Sequence, residues 1–84
     1  MVKRTVTVRR ESGLEARPIA MLVQKASQFD SRVYIEVGTK SINAKSIMGM
    51  MSLRVGNGDQ VVVVTDGQDE EAAANEIELY LEAQ

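Results

Sequence analysis

Apolar and polar residues alternate from the start of the chain. Val2, Val6 and Val8 fall on one side and Lys3, Thr5, Thr7 and Arg9 on the other, the two-residue period of a half-buried strand over residues 2 to 9. Over residues 16 to 28 the period lengthens to that of a helix, with Ile19, Leu22, Val23 and Ala26 as its apolar stripe. Pro18 sits in the first turn, where its missing N–H leaves no helical bond unmade. Arg32 to Val37 alternates again, Gly38-Thr39 makes a turn, and Lys40 to Asn43 returns as the second strand of a hairpin. Ser46 to Leu53 reads as a short helix capped by its serine, and Gly56 to Asp59 as a turn. Gln60 to Thr65 carries four successive valines, a run that suits a central strand. The last helix, Asp69 to Glu82, opens on acids, as the helix dipole favours, and has Ala73, Ile77, Tyr80 and Leu81 as its buried stripe. The predicted order is β-α-β-β-α-β-α, with neither repeat nor linker.

The short helix has more apolar surface than a small domain can cover. Met50 and Leu53 share one face, whereas Ile47, Met48 and Met51 share another, about a third of a turn away. Two readings stay open: all five fill the core, or the second group stays in solvent as an adaptable binding patch. Ser46 is equally double. As a plain N-cap it contributes ~1 kcal/mol and needs no other role. A phosphate at the same place would meet free backbone N–H groups and the positive end of the dipole, which makes it a good switch position.

Composition removes more functions than it suggests. The chain has 84 residues, 26% charged and 44% hydrophobic, as expected of one folded domain. Such a domain buries only about 60% of the surface that its unfolded form exposes. Net charge is −2 and no basic block exceeds the pairs Lys3-Arg4 and Arg9-Arg10, so direct binding to nucleic acid is not expected. Cysteine and histidine are both absent. Disulfides, thiolate or imidazole metal sites and histidine-based proton shuttles therefore fall away, and neither a metal nor a cofactor is expected. No long apolar run suggests a signal peptide or a membrane span, so the expected location is cytoplasmic and away from the membrane.

The stretch GLEARP, residues 13 to 18, sets Glu15 at the start of the first helix with Arg17 two residues on. Favourable interaction with the helix dipole explains Glu15 without further chemistry. A chemical reading makes it a nucleophile that forms an acyl phosphate, with Arg17 holding the oxygens; a lone Glu-x-Arg supports this only weakly. Arg17 by itself reads as a solvated surface residue. The run Asp69-Glu70-Glu71 reads as a helix start facing water and is assigned no site.

These two stretches, their separation and the whole length of the chain resemble the HPr family, small phosphocarriers of the bacterial sugar phosphotransferase system. In that family the first helix opens with Gly, an aliphatic residue, His, Ala, Arg, Pro. Gly13, Leu14, Ala16, Arg17 and Pro18 match, and Glu15 stands at the position of the phosphoryl-carrying histidine. The second family motif, a regulatory serine followed by an apolar patch, is matched by Ser46, Ile47, Met48, Gly49, Met51 and Leu53. A chain that keeps the serine and lacks the histidine is similar to the regulatory Crh branch of the family, where glutamine stands at the histidine position; Glu15 departs from both forms. The resemblance implies an α+β, two-layer, open-faced sandwich: a four-stranded antiparallel sheet in order 1423 with three helices on one face.

For function, the resemblance implies a regulator and not an enzyme. HPr kinase/phosphorylase would modify Ser46, and the phosphorylated form would be corepressor of the LacI-type transcription factor CcpA in carbon catabolite repression. Arg17, Ile47, Met48 and Met51 would be the partner-binding surface, and DNA would enter only through the repressor. Three alternatives stand beside this: a carrier that uses Glu15 as acceptor, an allosteric binder of a metabolic enzyme, and an acylphosphatase-like enzyme. The last lacks a glycine-rich phosphate loop with arginine and asparagine in the required spacing. Finally, Arg10-Glu11-Ser12-Gly13 could open as a hinge and let the first strand exchange between two copies, a homodimer for which Crh-like proteins are the precedent.

Overall fold

The computed structural model describes residues 1–10 and 16–82. Strands β1 (Val2–Thr7), β2 (Arg32–Val37), β3 (Lys40–Asn43) and β4 (Gln60–Asp66) form one sheet in the order β1-β4-β2-β3, with antiparallel pairing throughout. The four-valine run is in a central strand, as its composition predicts. Val6 stands opposite Val61, and Ile35 opposite both Val63 and Ile42, so one face of the sheet is largely apolar. The other face carries Val62, Val64, Tyr34 and, from β1, Lys3, Thr5 and Thr7. None of the described helices covers it, yet Val64 is only 6% exposed, because Lys3 and Tyr34 flank it on the neighbouring strands.

Helices α1 (Ala16–Ala26), α2 (Ile47–Met51) and α3 (Glu70–Glu82) lie over the apolar face. Ile19, Leu22 and Ala26 from α1, Met50 from α2, and Ala73, Ile77 and Leu81 from α3 join the strand residues in one core. Tyr80, expected in the buried stripe, is only half-buried. Three predicted elements run past their observed ends: α2, which stops at Met51 and not at Leu53, and β1 and α1, where the backbone finds other partners. Val8 and Arg9 leave β1 to donate to the carbonyls of Asp59 and Leu81, at 2.8 and 2.9 Å. After Ala26 the first helix tightens, with Gln28 and Phe29 donating to carbonyls three residues back, and Phe29 packs against the core.

Polar straps tie the layers together. Arg4 falls on the apolar side of β1, facing α3: its guanidinium donates to Glu71 at 3.0 Å, to Glu78 at 3.1 Å and to the side-chain oxygen of Asn75. The acids expected merely to face water are structural. Glu71 serves Arg4, and Glu70 accepts from the Gly67 N–H at 3.1 Å, which holds its carboxyl below the ordinary range. Asp69 reaches the loop before β2, accepting from Asp30 N at 2.9 Å, from Ser31 N at 2.8 Å and from the Ser31 hydroxyl. That clamp requires close approach. Gly67 has φ of +151°, and a Cβ there would lie 2.7 Å from the Ser31 Cα.

The Ser31 hydroxyl and then the Asp30 backbone N–H favour the charged form of Asp69 and lower its pKa. Because the folded state favours the carboxylate more than the unfolded chain does, the clamp contributes fully above the ordinary aspartate value of about 3.9 and is lost as pH falls through the lowered one. Asp69→Asn should therefore lower the melting temperature at neutral pH, and the difference from wild type should shrink as the solution is acidified below about pH 4. Thermal melts across that range check it; a constant difference would remove the charge from the explanation.

Candidate functional site

The chain reaches α2 through a turn that it builds from its own polar groups. The Asn43 side chain accepts from Lys45 N at 2.8 Å, Asn43 O accepts from Ser46 N at 3.0 Å, and Lys45 Nζ donates to Phe29 O at 2.6 Å. Ser46 then takes an extended conformation as N-cap, its Oγ accepting from Gly49 N at 3.2 Å. Its carbonyl accepts the first helical bond, from Met50 N at 2.9 Å. At the other end Ser52 closes the helix, its hydroxyl donating to Gly49 O at 2.6 Å. Gly49 allows this short helix to dock on β3, since a Cβ there would lie 3.2 Å from the Ile42 methyl Cγ2 and 3.4 Å from Ser46 Oγ.

Met50 and Leu53 face inward, 0% and 4% exposed. Ile47 and Met51 are each 45% exposed and Met48 is 83% exposed, so the structure decides between the two readings of this helix in favour of a solvent-facing apolar group. The cause is geometric: a five-residue helix lying on one layer can turn only one side to it. Ser46 is exposed at the N-terminal end of the same helix.

Arg17 is exposed on the first turn of α1, the helix that packs against α2. Met21, on the same helix, is another exposed methionine, off the Ile19-Leu22-Val23-Ala26 stripe, and the sequence reading passed over it. Glu15, Gly13 and the rest of the proposed hinge beyond Arg10 lie outside the described residues. What fixes the start of α1 is a contact that periodicity does not show. The Tyr80 hydroxyl donates to Pro18 O at 2.9 Å, while Arg10 stacks on the Tyr80 ring at 3.8 Å and donates to Tyr80 O at 2.8 Å. The tail of α3 thus buttresses the first turn of α1.

Among the described residues no group of three His, Cys, Asp or Glu side chains could hold a metal ion, and no helix is long and apolar enough to cross a membrane. Chemically, the arrangement offers a solvent-facing hydroxyl beside an apolar surface, suited to modification and docking.

A protein-family model described as "PTS HPr component phosphorylation site" matches residues 2–83. The HPr-like protein Crh of Halalkalibacterium halodurans is 44% identical over 82 residues, covering 98% of each chain. A crystal structure of the phosphocarrier protein HPr from Bacillus anthracis superimposes with a TM-score of 0.91 at 42% identity, over 95% of each chain. The crystal structure of Crh, the Bacillus subtilis catabolite repression protein, gives 0.80 at 44% identity over 100% of this chain and 97% of that one, and it is a domain-swapped dimer. Carrier and regulator thus resemble this chain to nearly equal degree, so identity alone does not separate them.

The two faces of α2 predict opposite responses to substitution. Met48→Glu should leave stability within about 0.5 kcal/mol of wild type, as usual for exposed positions. Met50→Ala should cost about 2–5 kcal/mol through lost burial and a residual cavity. Denaturant unfolding of the two variants measures both.

Proposed function

The chain belongs to the HPr family, and from that premise we propose that it is a regulatory member and not a phosphoryl carrier: HPr kinase/phosphorylase modifies Ser46, and the modified protein serves as corepressor of a CcpA-type transcription factor. One observation carries the reading, the exposed N-cap serine standing on the same short helix as exposed Ile47, Met48 and Met51. The chain contains no histidine, and Glu15 occupies the position at which the family's carrier histidine would stand. No enzymatic family is indicated by the matches, and the protein's part is to be modified and to dock.

A phosphoryl group on Ser46 replaces a neutral hydroxyl with about −1.5 to −2 charges and three strong acceptor oxygens. At the N-cap the Gly49 N–H, which already points at Ser46 Oγ, can donate to the ester without the helix melting. The remaining oxygens face solvent and are available to a partner's arginine, a charge-assisted contact. The apolar side chains beside it supply the desolvated centre of such an interface, and methionine adapts its shape to what docks. Arg17, on the adjacent helix, adds a cation at the rim. A repressor reads DNA; this chain reaches it only through the repressor.

Two labelling reactions separate regulator from carrier. With ATP and the serine kinase, wild type should take up phosphate and Ser46→Ala should not, and only the phosphorylated protein should bind repressor tightly. With phosphoenolpyruvate and the first enzyme of the sugar relay, wild type should remain unlabelled, whereas Glu15→His should gain label, because a neutral imidazole accepts phosphate near neutral pH and a carboxylate is a poor nucleophile. Strong labelling of wild type in the second reaction would refute the regulatory reading.

By likeness to the swapped Crh structure, we also propose that two copies of this chain exchange β1, with the segment from Arg10 to Gly13 as hinge. Every contact of β1 with β4 and α3 can re-form between copies, so exchange costs little beyond the hinge. Sedimentation at rising protein concentration should reveal a dimer, and a monomer at all concentrations would exclude it.

A further inference from the structure

A groove of about 340 Å³ opens where the helical layer stops short of the β2–β3 hairpin. Its floor is apolar: Val37 and Ile42, which lean on the core and remain partly uncovered, and Leu53. They are left open because α2 ends at Met51 and the chain turns away through Ser52. Two cations, Lys40 and Arg54, stand on the rim. Among the described residues no carboxylate lines the groove and neither cation enters an ion pair. Ser52 contributes no proton to a ligand, because its hydroxyl is already donated to Gly49 O.

The geometry points to a binding site for a small organic anion with an apolar body, such as an aryl phosphate or aryl carboxylate, seated on Val37, Ile42 and Leu53 with its anionic oxygens between Lys40 and Arg54. The volume lies at the small end of the range for ligand sites, about 300–1,000 Å³, and the lining has their usual form, an apolar surface with a few converging polar groups. Charge selects the occupant. Two cations without an ion-pair partner among the described residues, in a chain whose net charge is −2, favour an anion over a neutral or cationic molecule. The arginine fork suits phosphate or carboxylate oxygens, while lysine acts as a point charge. The apolar floor in turn favours an aryl body over a bare inorganic ion, which would leave that floor wet. The site is separate from the regulatory surface: Ser46, Ile47, Met48 and Met51 do not line it. Its ligand would nonetheless touch the residue that caps the C-terminus of α2, so occupancy bears on the helix that carries the exposed methionines.

The experiment is a titration of the unphosphorylated, isotope-labelled full chain, followed by amide NMR. Phenyl phosphate, benzoate, inorganic phosphate and benzyl alcohol are added in separate series. Phenyl phosphate should produce saturable shifts confined to Lys40, Ile42, Leu53, Arg54 and their neighbours. Benzoate distinguishes the ligand class: saturation with both aryl anions assigns anionic aryl groups in general, and with phenyl phosphate alone assigns phosphate monoesters. Inorganic phosphate and benzyl alcohol should each bind at least about tenfold more weakly, as should phenyl phosphate to the Lys40→Ala/Arg54→Ala variant, since each case removes charge-assisted contacts or the apolar body. Equal response to inorganic phosphate would reduce the site to bare surface charge and overturn the inference, as would shifts that do not saturate or that persist in the variant. Ser46→Ala should bind like wild type, so failure of Ser46 phosphorylation and failure of this site are separately visible.

Discussion

Strand β4 imposes the constraint on which the rest of the domain depends. Val61, Val63 and Thr65 project toward the helices and are nearly inaccessible, and the strand pairs with β1 on one side and β2 on the other. β1 and β2, which do not pair with each other, thus present one apolar surface only because β4 stands between them. A chain of 84 residues has enough helix to cover that surface and none for the opposite one. The open face is tolerated because its two valines are screened by Lys3, Tyr34 and Glu36 on the neighbouring strands. The same economy shapes α2: a helix that must cover the β3 end of the sheet with Met50 and Leu53 has to turn Ile47, Met48 and Met51 outward.

Local periodicity was therefore a good guide to the elements. Alternation places β1 and β2, the Gly38-Thr39 turn places β3, helical spacing places α1 and α3, and the separation of Met50 from Met48 and Met51 appears in the chain order itself. What eluded the sequence is polar and distant. Arg4 interrupts the apolar face of β1, and nothing near it in the chain explains why; its partners, Glu71, Asn75 and Glu78, are on α3. Asp69 looks like one acid among three, yet it satisfies the backbone of a loop 38 and 39 residues earlier. The Arg10–Tyr80–Pro18 contact spans the chain in the same way. Hydrogen bonds of this kind have no period, so residue spacing cannot reveal them. For the candidate site, the exposure of Ile47, Met48 and Met51 selects one of the two readings that the pattern left open, whereas the two-cation groove joins segments that periodicity never brings together.

On the reading proposed above, one fold serves two kinds of message. In the family's carriers the start of the first helix holds the reacting group, and in this chain that start is still braced by Tyr80 from the far end of α3. Bracing of that sort orients a helix whichever residue follows Gly13 and Leu14. On the proposed reading, the helix geometry outlasts the carrier chemistry, and the same scaffold serves signalling.

The placement of β1 has a consequence for the making of the protein. Of the described elements it is synthesised first, and the two it packs against, β4 and α3, lie in the last third of the chain: β4 begins at Gln60, and the Arg4 partner Glu78 is 74 residues downstream. At translation rates of about 5–20 residues per second, the strand waits several seconds with its backbone unpaired. During that interval β2 and β3 can close their hairpin, because their partners are adjacent in the chain, while β1 cannot. On a messenger read by several ribosomes, the neighbouring nascent chains carry the same unpaired strand and, soon afterwards, the same vacant edge of β4. The order of synthesis thus offers each new copy two equivalent strands to accept, its own and its neighbour's.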